Sequence, residues 1–98
     1  MRLTEQEIEK IRIFFRTQPV LKAYLFGSYA RGEADEESDV DLLVDLDYEH
    51  FTLKFFRTSE LLTHLLDKKV DIISSNGLHP LYQPFIEADK RLIYERQN

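Results

Sequence analysis

The order of apolar and polar residues predicts that the chain begins with an amphipathic helix. Thr4 followed by Glu7 is a Thr-x-x-Glu capping box, which marks a helix start. Apolar residues then recur at helical spacing and define one buried face: Ile8, Ile11, Phe14 and Phe15. We expect Pro19 to end the helix, because the residue before a proline is disfavoured in the α region.

Three apolar runs further along the chain predict buried strands. They are residues 20–26 (VLKAYLF), 40–45 (VDLLVD) and 69–74 (KVDIIS). A very short helix over residues 28–31 is predicted after the first strand, with Gly32 as its end. Residues 33–37 (EADEE) hold four acids and predict a solvated loop.

The remaining pattern predicts two more helices and a last strand. Residues 48–66 carry one apolar helical stripe: Phe51, Phe55, Thr58, Leu62 and Leu65. Pro80 suits the first position of the last helix, which Pro84 should shorten or bend. Residues 91–94 predict a short edge strand. This alternation predicts an α/β fold with a small mixed β-sheet of three to four strands flanked by helices.

Composition and charge narrow the class of protein. We expect residues 1–98 to form a single domain. Thirteen Lys and Arg against eighteen Asp and Glu give a net charge of −5, which argues against direct nucleic-acid binding. The 43% apolar content excludes disorder for the chain as a whole, and no apolar run approaches the roughly 18 residues that span a membrane. Without cysteine or a recognisable signal peptide, the chain is expected to be cytoplasmic.

Residues 27–32 (GSYARG) predict a phosphate-binding turn between the first strand and the short helix. The first backbone N–H groups of a helix have no internal partners and attract an anion. Gly27 has no Cβ to keep a ligand away from the backbone, and Ser28 adds a hydroxyl donor. Arg31 lies one turn further on and can reach the same anion.

Three acids are predicted to form a metal site beside this turn. Asp39 and Asp41 lie two positions apart at the start of a strand, so their side chains share one face. At about 4 Å they repel by roughly 4 kcal/mol at an effective dielectric constant near 20, unless one is protonated or a cation lies between them. Oxygen ligands without cysteine or histidine favour Mg²⁺ or Mn²⁺. Asp71 lies inside an apolar strand, where a lone carboxylate is costly, and joins the other two if the third strand lies beside the second.

The spacing of these residues resembles the signature of the DNA polymerase β-like nucleotidyltransferase superfamily. The pattern is Gly27-Ser28, ten residues, and then Asp39-x-Asp41. Four fixed positions match by chance in such a chain roughly once in a thousand. Residues 24–46 (YLFGSYARGEADEESDVDLLVDL) resemble one branch closely, the minimal nucleotidyltransferases (MNT) that serve as antitoxins of HEPN toxins. The similarity extends through Asp71 and the His-Pro-Leu-Tyr sequence at 79–82, so it covers nearly the whole chain.

This resemblance implies a nucleotidyltransferase-fold catalytic core and a role for each site residue. The Gly27-Ser28 pair would hold the β- and γ-phosphates of ATP, and Arg31 would face a phosphate or the acceptor. Asp39 and Asp41 would bind two Mg²⁺ ions, while Asp71 would share one ion and act as the base toward an incoming hydroxyl. In this branch the acceptor is a tyrosine of the HEPN RNase toxin, and attached AMP silences the toxin.

The same residues also allow other interpretations. Gly27-Ser28 alone is a common turn, Asp39 and Asp41 can be a cap and an exposed strand residue, and Arg31 can be a surface ion-pair partner. Two other functions stay open. One is an antitoxin that neutralises its toxin by contact alone. The other is a small-molecule nucleotidyltransferase, whose pocket would need a homodimer. The pattern indicates neither the preferred base nor whether the chain assembles with itself or with the toxin.

Overall fold

The computed structural model describes residues 1–97 and shows a four-stranded sheet with helices on both faces. The elements in chain order are α1 (Glu5–Phe15), β1 (Val20–Phe26), α2 (Ser28–Arg31), β2 (Val40–Leu46), a 3-10 helix (Leu53–Arg57), α3 (Thr58–Leu66), β3 (Val70–Ser74), a 3-10 turn (Ser75–Gly77), α4 (Gln83–Asp89) and β4 (Arg91–Glu95). The strand order is β3-β2-β1-β4. β1 pairs antiparallel with β2 and β4, and β2 pairs parallel with β3. The predicted α/β class with a small mixed sheet is confirmed.

The first helix begins where predicted and ends earlier. The backbone N–H of Glu7 donates to the Thr4 hydroxyl at 3.0 Å, and the Thr4 N–H donates to the Glu7 carboxylate at 2.9 Å, which completes the capping box. α1 ends at Phe15, and a turn precedes Pro19 because the Gln18 N–H donates to the Phe15 carbonyl at 3.0 Å. With 11 residues α1 is the longest helix described, and none within residues 1–97 is long and apolar enough to cross a membrane.

The main core lies on one face of the sheet, beneath α1 and α3. Its fully buried side chains come from both helices and from the two central strands: Ile11, Phe15, Val20, Ala23, Val40, Leu42, Val44 and Leu62. The opposite face carries Asp41 and is covered in part by α4, whose Ile86 is buried. Leu43 is also buried on that face, so β2 has buried side chains on both of its sides.

The predicted helix over residues 48–66 is wrong in its first half. Residues 48–52 are not helical, a 3-10 helix follows, and only α3 is α-helical. The Asp47 carboxylate holds the preceding turn, since it accepts from the Glu49 N–H at 3.1 Å and contacts Nδ1 of His50 at 2.7 Å. A 3-10 helix winds at three residues per turn, so the predicted stripe loses its phase. Leu66 is buried, and Leu65 is exposed.

The last helix also begins later than predicted. Pro80 lies in a turn, closed by a hydrogen bond from the Gln83 N–H to its carbonyl at 3.3 Å. α4 begins at Gln83, so Pro84 occupies the first turn and does not bend the helix. Proline is tolerated there because the first N–H groups of a helix have no internal acceptor. β4 then forms the edge strand that the sequence predicts.

Candidate active site

The turn between β1 and α2 brings Gly27 against Asp41. β1 ends at Phe26, which is the register partner of Asp41 on β2. Gly27 adopts φ 75° and ψ −156°, a region that is essentially restricted to glycine. A Cβ on residue 27 would also collide with Oδ2 of Asp41. Backbone conformation and close approach therefore both require glycine at this position.

The start of α2 leaves backbone N–H groups available to a ligand. The N–H groups of Ala30 and Arg31 both donate to the Gly27 carbonyl, at 3.0 and 3.1 Å. The N–H groups of Ser28 and Tyr29 precede them, where a helix start offers no internal acceptor. The Tyr29 side chain packs in the core, so the ligand-facing groups of this turn are backbone N–H groups and the Ser28 hydroxyl.

The parallel pairing of β2 and β3 places Asp41 and Asp71 side by side. The two residues are register partners, and neighbouring strands lie about 4.8 Å apart. Asp39, just before β2, shares a hydrogen bond with Asp71, and its Oδ2 lies 3.5 Å from Nζ of Lys69. The structure therefore brings the three predicted acids together beside the Gly27 turn.

The positive charges near the three carboxylates, on Lys69 and Arg31, only partly offset the cost of their burial and mutual repulsion. Burial, followed by the charges of Asp71 and Asp39, raises the pKa of Asp41 to about 6, against an opposing effect of Arg31. Burial and the hydrogen bond with Asp39 also raise the pKa of Asp71, against the opposing charge of Lys69. Neighbouring carboxylates repel each other when both are ionised, and a cation bound between them stabilises their ionised forms. Three carboxylates without histidine or cysteine fit a hard divalent ion such as Mg²⁺.

A second cluster of metal-binding residue types lies at the opposite end of β2. Within residues 1–97, the ligand atoms of Asp47, Glu49 and His50 all lie within 4.8 Å of one another, closer than those of the three aspartates. However, Oδ2 of Asp47 already contacts Nη1 of Arg96 at 2.7 Å. A cation would compete with this guanidinium, so we regard the cluster as the less suitable metal site.

Arg31 is held by two carboxylates near the turn. Its Nη1 lies 2.6 Å from Oδ2 of Asp89, at the end of α4, and its Nε donates to Oε2 of Glu33 at 3.1 Å. These two partners, Asp89 first, raise the pKa of the Arg31 guanidinium. The pairing with Glu33 is one of the alternatives that the sequence allows. Asp89 could not be predicted as a partner, since it lies 58 residues away from Arg31 along the chain.

An apolar groove of about 450 Å³ borders this site, and we did not predict it. It is lined by residues of β1, β3 and α4 and of the adjoining turns: Phe26, Gly27, Arg31, Ile73, Leu78, Tyr82, Phe85, Ile86 and Asp89. The sequence contained a signal for it, because positions 82, 85, 86 and 89 follow the spacing of one helix face.

Comparison with known proteins agrees with this geometry. The sequence profile of the family described as "Polymerase beta, Nucleotidyltransferase" matches residues 9–98. The protein adenylyltransferase MntA of Thermococcus cleftensis is 41% identical over 81 residues, which cover 78% of this chain and 82% of that protein. A relative from Methanocaldococcus jannaschii is 46% identical over 72 residues, 71% of this chain and 70% of the relative.

Solved structures share the fold. A chain in a toxin–antitoxin structure with AMP-PNP has a TM-score of 0.72 at 23% identity, over 97% of this chain and 76% of that chain. A chain in the complex of the tri-AMPylated Shewanella oneidensis HEPN toxin with its MNT antitoxin has a TM-score of 0.73 at 18% identity, over 97% and 75% of the two chains. The resemblance seen in the sequence is thereby confirmed: the chain belongs to the polymerase beta nucleotidyltransferase family and is a relative of the protein adenylyltransferase MntA.

Proposed function

We propose that this nucleotidyltransferase uses Mg²⁺ to transfer AMP from ATP to a tyrosine hydroxyl of a HEPN-type RNase toxin, and so acts as its antitoxin. The observation that carries the proposal is that residues from three neighbouring elements lie side by side. Gly27, in the turn after β1, lies against Asp41 on β2, and Asp41 is the register partner of Asp71 on β3. A phosphate turn beside three carboxylates is suited to metal-assisted transfer of a nucleotidyl group. The relative named as a protein adenylyltransferase and the toxin–antitoxin structures support the choice of acceptor.

ATP binding in this proposal uses the turn and the acids together. The Gly27-Ser28 turn holds the β- and γ-phosphates through backbone N–H groups and the Ser28 hydroxyl. Arg31, fixed by Asp89 and Glu33, places a positive charge beside them. Asp39, Asp41 and Asp71 are the ligands for two Mg²⁺ ions, with Mn²⁺ as an alternative. Ions held by these three acids would supply positive charge to the triphosphate and to the departing pyrophosphate.

The transfer step requires a group that accepts a proton and groups that bind the departing pyrophosphate. Asp71 accepts the proton of the tyrosine hydroxyl, and the hydroxyl oxygen forms a bond to the α-phosphorus of ATP. The bond from the α-phosphorus to the oxygen that bridges to the β-phosphate breaks. Pyrophosphate leaves while the Gly27-Ser28 turn still holds it. The products are AMP-tyrosine and pyrophosphate.

The partner supplies the acceptor surface in this proposal. The chain acts as a single catalytic domain over residues 1–98, in the cytoplasm, and forms a hetero-oligomer with the toxin. Large apolar side chains on the described surface, among them Leu53 at 79% and Phe56 at 74% exposure, support contact with another protein.

The decisive experiment incubates the protein with labelled ATP, Mg²⁺ and the product of the adjacent gene. We expect label on that partner with the wild type and no label with Asp39→Asn or Asp41→Asn. Glu36→Gln is the matched control and should retain activity. It removes an exposed acid from the loop between α2 and β2, which also contains Asp39. If the wild type leaves the partner unlabelled, the proposed reaction is wrong.

Neutralisation by contact alone is the second candidate, and the exposed side chains of Leu53 and Phe56 favour it. It predicts that the Asp39→Asn, Asp41→Asn double variant still neutralises the toxin at an equimolar ratio. The catalytic proposal predicts that the double variant binds the toxin and leaves its RNase active. A third candidate, small-molecule nucleotidyl transfer, requires turnover without any protein partner.

A further inference from the structure

The groove between α4 and the sheet contains an exposed phenol beside the proposed site. Tyr82 lines this groove together with Gly27 and Ile73, and its side chain is 63% exposed. Its backbone is held at both groups, because its N–H donates to the His79 carbonyl at 3.0 Å and its carbonyl accepts from the Ile86 N–H at 3.1 Å. Exposed side chains change rotamer within nanoseconds, so the hydroxyl is mobile on a fixed backbone.

The four other tyrosines are less suitable as acceptors of a nucleotidyl group. Three of them are buried or half-buried: Tyr24, Tyr29 and Tyr94. Tyr48 is 55% exposed, but its hydroxyl contacts the Ser74 hydroxyl at 3.3 Å. Ser74 follows Asp71 by three strand positions, so its side chain lies on the opposite face of β3 from the acids. Tyr82 therefore combines exposure with a place beside the proposed site.

α4 carries Tyr82 at its β3 end. The helix connects β3 with β4, and these two strands form opposite edges of the sheet. Its last residue, Asp89, contacts Arg31 on the β1 side of the groove. Tyr82 directly precedes its first residue, about 10 Å from Asp89 along the helix axis, and shares the groove with Ile73 of β3.

An acceptor in the proposed reaction comes from this same β3 side. The Gly27-Ser28 turn, at the end of β1, holds the pyrophosphate that leaves. In-line displacement brings the attacking oxygen to the side of the phosphorus opposite the leaving oxygen. Asp71, the proposed base, lies on β3 and precedes Ile73 by two positions, about 7 Å away on the same face. The Tyr82 hydroxyl is thus on the side of the groove where the proposed base lies.

We propose that Tyr82 is itself an acceptor, so that the protein attaches AMP to its own chain. This inference rests on the proposed nucleotidyl transfer, and it needs no partner protein. The Tyr82 hydroxyl oxygen forms a bond to the α-phosphorus of ATP, and its proton passes to Asp71. The bond from the α-phosphorus to the oxygen that bridges to the β-phosphate breaks. The products are AMP-Tyr82 and pyrophosphate.

Intact-mass spectrometry of the protein incubated alone with ATP and Mg²⁺ tests this self-modification. We expect the mass to rise by one AMP group, and peptide fragmentation to locate the group on Tyr82. Tyr82→Phe, which keeps the ring, should show no rise. Tyr48→Phe is the matched control at an exposed tyrosine and should be modified like the wild type. The modified fraction at a given time should not depend on protein concentration, because the hydroxyl and the groove belong to one chain.

A second measurement detects the position of Tyr82 without any transfer. Tetranitromethane nitrates exposed tyrosines, and α,β-methylene-ATP has a carbon bridge at the bond that breaks, so it binds without reacting. With Mg²⁺, this analogue should slow the nitration of Tyr82 several-fold and leave that of Tyr48 unchanged. Equal nitration of Tyr82 with and without the bound analogue would overturn the inference.

The remaining outcomes separate this inference from the proposed function. AMP on a residue other than Tyr82, or a rate that rises in proportion to protein concentration, would overturn the inference. A wild type that labels the partner but never itself would also overturn it, and the proposed function would stand. A wild type that labels neither protein would contradict both.

Discussion

Gly27 and Asp41 lie so close together that residue 27 has no space for a side chain. The contact joins the turn before α2 to β2, which carries Asp41 and directly follows Asp39. It also fixes the distance between the phosphates and the metal ligands in the proposed reaction. A change at residue 27 is therefore expected to act on both parts of the site at once.

Gly27→Ala should lower both stability and activity. Its φ of 75° with ψ of −156° lies in a region where a non-glycine residue costs about 1–3 kcal/mol, so we expect the free energy of unfolding to fall by about that amount. The added methyl group would also displace the Asp41 carboxylate, so we expect AMP transfer to be lost. Denaturant unfolding and the labelled-ATP assay measure the two effects.

Gly77→Ala is the control for that variant. No atom lies within 4 Å of a Cβ built on residue 77, so the substitution should be tolerated in both measurements. Equal behaviour of the two alanine variants would contradict the assignment of Gly27 to the site.

The strands and the turn at Gly27-Ser28 could be predicted because their signals are local. The apolar runs gave β1 its observed bounds, and the Gly27-Ser28 spacing placed α2 correctly. The region after β2 could not be predicted from local spacing. The Asp47 carboxylate stabilises a turn there and pairs with Arg96, which lies 49 residues further along the chain. This tertiary contact favours the turn over the helix that the apolar spacing predicts. The Arg31–Asp89 pair was missed for the same reason.

Asp41→Asn should stabilise the metal-free protein near neutral pH. The pKa of Asp41 is about 6 in the folded protein, above its ordinary value of 3.8. The folded state therefore binds more protons than the unfolded state between about pH 4 and pH 6. The contribution of Asp41 to stability thus falls as pH rises through this window. We expect the variant to exceed the wild type in Tm at pH 7 and to match it near pH 4, with a chelator present.

Mg²⁺ provides the complementary measurement for Asp41. Added Mg²⁺ should raise the Tm of the wild type at pH 7, because it binds the folded state, and should raise that of Asp41→Asn much less. A stability difference between the two proteins that is the same at pH 4 and pH 7 would argue against the raised pKa. An equal response to Mg²⁺ would argue against Asp41 as a ligand.

Asp89 is expected to affect ATP turnover only through Arg31. Arg31→Ala should lower kcat/KM for ATP by about tenfold, the loss typical of a hydrogen bond to a charged group. Asp89→Ala should lower kcat/KM for ATP by less than Arg31→Ala does. It should cause no further decrease when residue 31 is already alanine, because the effects of substitutions at coupled residues are not additive. Glu87→Gln, which removes a charge from the same helix and the 3.0 Å pair with Lys90, is the control. Additive losses would show that Asp89 acts independently of Arg31.

The Asp47–Arg96 pair should make the protein sensitive to acid. The hydrogen bond from Arg96, followed by that from His50, lowers the pKa of Asp47 to about 2, below its ordinary value of 3.8. The unfolded state therefore binds more protons in this range, and the stabilisation is present above about pH 4 and is lost as pH falls toward 2. Asp47→Asn should be less stable than the wild type at pH 6, and the difference should shrink steadily below pH 4.

Glu49→Gln is the matched control for the acid effect, because Glu49 is an exposed acid in the same turn. It should follow the wild-type curve at every pH when the urea midpoint is measured from pH 6 to pH 2.5. Asp47 also holds the turn that interrupts the helical pattern of residues 48–66. Its loss should therefore increase amide hydrogen exchange in residues 48–52 and leave β2 protected. Unchanged exchange in that segment would mean that the turn forms without the Asp47 carboxylate.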